Sequence, residues 1–111
     1  MAKYKVQSQN EILALRIALI SAKKASHDVS NTDDGGTCNL DMPILILPKW
    51  NKEDIELAFS GTGLWSCIEK GLVYICGATE GCGFRRTAMA EAMRDSLKEM
   101  GYNAYVHYKI D

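Results

Sequence analysis

The stretch Leu64-Trp-Ser-Cys-Ile-Glu-Lys-Gly-Leu-Val-Tyr-Ile-Cys76 decides the reading of the fold. Two short runs rich in β-branched and aromatic residues flank Lys70-Gly71, and such runs separated by a glycine-containing pair signal a two-residue hairpin. With Lys70-Gly71 as the turn, Glu69 lies opposite Leu72, Cys67 opposite Tyr74 and Trp65 opposite Cys76. Side chains alternate along a strand. One face therefore carries Leu64, Ile68, Val73 and Ile75, a core face, and the other carries Trp65, Cys67, Glu69 and Tyr74. The second face is aromatic and half polar, and a face of that kind stays bare only if something covers it. Another subunit, the N-terminal helix and stacked bases are the candidate covers.

Working outward from the hairpin, Met42 to Leu47 is a continuous apolar run ended by Pro48 and reads as a buried strand. Asn51 caps a short helix with Glu53 and Asp54 in its first turn, and Gly61 stops it. Beyond the hairpin, Gly77 to Gly83 is a glycine-rich loop. Arg86 to Met100 is a helix with Met89, Met93, Leu97 and Met100 on one side, and Gly101 follows it. Ala104 to Ile110 alternates as a last strand, with Ala104, Val106, Tyr108 and Ile110 facing in and Tyr105, His107 and Lys109 facing out. Upstream, Ser8 and Glu11 form a capping-box pair before a helix running to about Lys24. Its apolar residues wrap most of the circumference, which suits either an oligomer interface or the central helix of a monomer. His27 to Asp41 is left as a long polar loop.

The expected fold class is therefore α+β: an N-terminal helix plus a ferredoxin-like βαββαβ antiparallel sheet with helices on one face. At 111 residues, 47% of them hydrophobic, the chain reads as one domain spanning 1–111 with a real core. A net charge of −1 argues against a general DNA or RNA binder, which carries a basic excess. Lys70-Gly-Leu-Val-Tyr-Ile75 partly resembles the octapeptide of RNA-recognition motifs. That likeness fails at Leu72 and on Ile44 to Leu47, where stacking aromatics belong. No apolar run spans a bilayer, and Met1 to Ser8 has no secretory pattern. Cys38, Cys67, Cys76 and Cys82 contain no Cys-x-x-Cys pair, so no metal is expected, and free thiols in a cytoplasmic protein are.

Gly77-Ala-Thr-Glu-Gly-Cys-Gly-Phe-Arg-Arg-Thr87 carries the sharpest functional signal. Glycines let backbone N–H groups approach a ligand, and a helix N-terminus favours anions. Two arginines there repel the helix dipole in an empty site, and guanidinium forks fit phosphate oxygens. Gly81, Gly83, Arg85, Arg86 and Thr87 are thus candidate ligand residues, with Phe84 a stacking surface for a base. The competing reading is a flexible loop with solvated arginines. The loop is not a Walker loop, since the final Gly-Lys-Ser/Thr is missing, nor a dinucleotide fingerprint, since a hairpin precedes it. Gly35, Gly36, Thr37 and Asn39 form a second candidate set, against a plain turn capped by Asp and Asn side chains. No catalytic constellation stands out. A Cys/His nucleophile pair is formally available from the four cysteines with His27 or His107, and nothing in the spacing places any of them together.

Asp34 to Asn39, Gly81 to Glu91 and the closing Tyr105-Val-His-Tyr-Lys-Ile-Asp111 resemble small phage proteins, most of all the phage Thoeris anti-defence sponge family. That resemblance implies a non-enzymatic homo-oligomer in the host cytoplasm. It would trap a phosphate-bearing nucleotide immune signal, a cyclic ADP-ribose isomer or a cyclic oligonucleotide, with no cofactor and no DNA, RNA or membrane partner. The alternative expectation is a homo-oligomeric protein-interaction module that uses the aromatic sheet face and binds no nucleotide.

Overall fold

A computed structural model describes residues 4–110 of the chain. Met1 to Lys3 and Asp111, the last residue of the closing stretch, lie outside the described residues.

Helix α1 (Gln9–Asp28) begins where the Ser8 and Glu11 pairing places it. The Ser8 hydroxyl accepts from the Glu11 N–H at 3.1 Å, and the Glu11 carboxylate accepts from the Ser8 N–H at 3.0 Å. That backbone donor, ahead of the serine hydroxyl, holds the Glu11 carboxyl below its ordinary value. Ser8→Ala is expected to cost about 1 kcal/mol, read as a lower urea midpoint, and an unchanged midpoint would show the cap to be idle. The helix runs one turn past Lys24. The Ser26 hydroxyl donates to Lys23 O at 2.9 Å and Lys24 pairs with Asp28 at 3.1 Å, so His27 and Asp28 are helical rather than loop.

After α1 come β1 (Met42–Ile46), α2 (Lys52–Phe59), β2 (Trp65–Glu69), β3 (Leu72–Cys76), α3 (Gly83–Glu99) and β4 (Ala104–His107). The chain is thus α+β, with three helices and a four-stranded antiparallel sheet among the described residues, in the order β2-β3-β1-β4. The hairpin register is the expected one, with Glu69 opposite Leu72, Cys67 opposite Tyr74 and Trp65 opposite Cys76. Lys70 (φ 51°) and Gly71 (φ 82°) both have positive φ, the signature of the turn whose twist matches a hairpin. β4 stops at His107, three residues short of the expected strand. The ladder is interrupted at residues 108 and 109, where Lys109 N–H donates to the Asp41 carboxylate, and it resumes as a single bridge between Ile110 and Asn39 in the same antiparallel register. Tyr108 and Ile110 are accordingly exposed rather than buried.

Leu45, Val73, Ile75 and Ala104 share one face of the sheet and one core with residues from all three helices. α1 contributes Leu15, Ala18, Leu19 and Ala22. It lies along α3 and touches α2, while α2 and α3 do not approach one another, so α1 fills the space between them. Its two alanines permit close approach, and each buried leucine contributes about 2 kcal/mol. Leu13, Ile17 and Ile20 of the same helix remain exposed.

Among the described residues, no helix packs on the opposite face of the sheet. α1 is on the core side, which removes it from the candidate covers. Ile44 is buried because Tyr74 and Tyr105 stand opposite it on either side. Around that centre Trp65 is 61% and Tyr105 55% exposed. His107 meets Tyr74 edge-on, with ring centroids 5.8 Å apart. Burial, and secondarily the nearby Cys67, raises the Cys76 thiol above its ordinary value. Among the described residues, no helix is long and apolar enough to cross a membrane.

Candidate functional site

The two loops that carry the candidate ligand residues are far apart in sequence and docked together in space. Helix α3 starts at Gly83, three residues before the expected start at Arg86, and its N-cap residue Cys82 supplies no side-chain bond. The 34–39 loop supplies the missing acceptors. Gly35 O accepts from Phe84 N–H at 2.8 Å, and the Asp34 carboxylate accepts from Cys82 N–H at 3.0 Å. Free N–H groups at a helix start need such partners, and a carboxylate there is favoured by the dipole.

The arginines follow the same logic. Arg85 pairs with Asp34 at 3.3 Å, and its Nε donates to Thr32 O at 3.1 Å. Arg86 Nε donates to Asp41 O at 3.0 Å. The anion expected at this helix start is thus supplied by the chain itself, as Asp34. The Arg85–Asp34 pair is half-exposed, and pairs of that kind are worth at most about 1 kcal/mol. A phosphate can therefore compete for it.

Asp41 is the anchor that sequence reasoning missed. Only 4% exposed, its carboxylate accepts from the Thr87 hydroxyl at 2.7 Å and from Lys109 N–H at 2.9 Å. Asn39 Nδ2 donates to Gly83 O at 3.0 Å and to the Thr87 hydroxyl oxygen at 3.1 Å, and Asn39 Oδ1 accepts from Asp41 N–H at 3.0 Å. The available signal was an Asx turn, an asparagine two residues before a charged residue at the threshold of an apolar strand. Tyr108 completes the set. Its hydroxyl donates to Glu91 at 2.6 Å and accepts from Arg94 at 3.2 Å. The bond to the Glu91 carboxylate, with part burial adding to it, raises the phenol above the ordinary tyrosine value.

The cysteines are not all free thiols. Cys38 and Cys82 form a disulfide with Cα atoms 4.8 Å apart, while Cys67 and Cys76 are unpaired. The expectation failed because spacing along the chain cannot show that the two loops dock. With their sulfurs bonded to each other, Cys38 and Cys82 offer no thiolate nucleophile in this state.

The ten candidate residues are thereby placed. Gly35 and Gly36 lie against the Phe84 ring, where a Cβ on Gly36 would come within 2.9 Å of it, and Phe84 is still 61% exposed. Gly81 faces Asp34 and Arg85, and Gly83 is buried beneath Gly35. Thr87 is bonded inward to Asp41. Thr37 and Asn39 open onto a cleft of about 420 Å³ whose far wall is Tyr108, Lys109 and Ile110. The cleft brings a cation, hydroxyls, an amide and an aromatic ring to one place, an inventory for holding a polar ligand. Compared with known proteins, the chain matches no family model, no curated protein and no solved structure.

Proposed function

We propose that the chain binds and sequesters a phosphate-bearing nucleotide without chemical conversion, as its resemblance to the phage Thoeris anti-defence sponges implies. The ligand class is a cyclic ADP-ribose isomer or a cyclic oligonucleotide, held by a homo-oligomer in the host cytoplasm, with no nucleic-acid or membrane partner. One observation carries the reading: residues 37–41 and 108–110, far apart in sequence, line one cleft, and the 83–91 segment is hydrogen-bonded to that lining through Asn39, Asp41 and Tyr108. Thr37, Tyr108 and Lys109 line it, and Phe84 and Arg86 belong to the same docked unit. The strand order β2-β3-β1-β4, with a βαββαβ succession after α1, supports describing the framework as ferredoxin-like.

Calorimetry against cyclic ADP-ribose isomers, cyclic di- and trinucleotides and ordinary nucleotides tests the proposal. Binding of a cyclic nucleotide is expected, with affinity at least about tenfold lower in an Arg86→Ala, Lys109→Glu double variant, the loss of a charge-assisted contact. Ligand released by heating should be chemically intact. Silence across the panel sinks the binding reading, and altered ligand sinks the non-enzymatic one.

A second reading rests on the bare sheet face, where Trp65 and Tyr105 are exposed around a buried Ile44. That face suits self-association in a protein-interaction module without a nucleotide. Sedimentation separates the two: oligomers lost in Trp65→Glu together with an empty calorimetry panel favour this module.

A further inference from the structure

The glycine-rich loop has a second side. Residues 77–80 form one wall of another cleft, of about 440 Å³, whose opposite wall is the C-terminal part of α1. Lys23, Lys24 and His27 project from that helix at spacings that place them on one surface. Ile20, Ala78 and Met89 contribute apolar lining, and Glu80 is the one carboxylate among the lining residues.

These groups are held differently. Lys23 Nζ donates to Thr62 O at 3.0 Å, which fixes its direction while leaving ammonium hydrogens for another acceptor. Lys24 pairs only with Asp28, and both are largely exposed, so the pair is nearly free to exchange. His27 is exposed. A helix C-terminus favours cations, which accounts for basic residues near the last turn. It does not account for an apolar surface beside them, with Ile20 of α1 half-exposed at the cleft. A cationic rim around an apolar lining matches a phosphate monoester attached to a flat, weakly polar body, and a carboxylate on the far wall is the usual acceptor for ribose hydroxyls.

We propose that this cleft is a second binding site, specific for a small nucleoside phosphate. Lys23, Lys24 and His27 meet the phosphate, Ile20, Ala78 and Met89 meet the base, and Glu80 accepts from the ribose. The proposal does not depend on the first cleft, because the two share no lining residue.

The test is an NMR titration of the isotope-labelled protein with adenosine monophosphate, adenosine and inorganic phosphate in parallel. Adenosine monophosphate is expected to shift the amides of Lys24, His27, Ala78 and Glu80 with a saturable, sub-millimolar to millimolar isotherm. Adenosine should bind at least about tenfold more weakly, since it lacks the charged group. The Lys24→Gln, His27→Gln double variant, whose two positions are exposed, should remain folded with a melting temperature no more than a few degrees lower, and should lose the response. Lys109→Glu should leave these amide shifts intact. The proposal is overturned if those amides stay still, if adenosine binds as well as its monophosphate, or if the double variant binds undiminished.

Discussion

Gly83→Ala is expected to lower stability by about 2–4 kcal/mol, the sum of a left-handed backbone penalty and overpacking. Gly83 has φ 58°, and a Cβ built there would overlap the Gly35 carbonyl oxygen. That oxygen is backbone and accepts from Phe84 N–H, so it cannot move aside without uncapping α3. Gly101→Ala is the matched control. Its φ is 90°, but nothing lies within 4 Å of the added carbon, so only the backbone term of about 1–2 kcal/mol remains. Urea unfolding of both variants measures the difference. Equal losses would mean that the 34–39 loop does not rest on Gly83 in solution. A larger loss for Gly83→Ala, with faster amide exchange at residues 34–39 and 82–85, places the cost at the docked loops.

Reduction of the Cys38–Cys82 disulfide is expected to cost about 2–4 kcal/mol, and Cys38→Ser the same. The bond closes a loop with a sequence separation of 44, which the chain-entropy account values at about 4 kcal/mol. Solvent reaches the pair, since Cys38 is exposed and Cys82 half-buried, so a dithiol reductant can attack it. Denaturation with and without reductant, alongside thiol counting, decides the matter. Four titratable thiols in the untreated protein, or a midpoint indifferent to reductant, would show that the bridge contributes nothing. Ligand affinity measured on both forms would show how far the loop pair depends on covalent closure.

The framework was legible because its signals are local. Lys70-Gly71 fixed the hairpin register, Ser8 with Glu11 fixed the start of α1, and Asn51 fixed that of α2. The start of α3 was misplaced because its cap comes from Asp34 and Gly35, 48 residues upstream of Cys82 in the first case. The end of β4 was misplaced for the same kind of reason, since Asp41 captures Lys109 across the chain. The candidate residue types suit an external anion, and sequence alone does not reveal that Asp34 stands in that position against Arg85. The residue types marked the glycine loop and Asp34 to Asn39 as two separate candidate sets, and only the folded chain shows that they dock.

The bond from Lys109 N–H to Asp41 spans 68 residues, and the Asn39 bridge to Ile110 is longer still. Closing so long a loop costs entropy that only finished neighbouring structure repays. The hairpin and each helix form from near contacts, whereas the β1–β4 ladder and the packing of α1 on α3 close loops of comparable length. The first cleft is therefore closed by the same kind of long-range contact that joins the two halves of the sheet, and the Lys70-Gly71 hairpin alone cannot preform it.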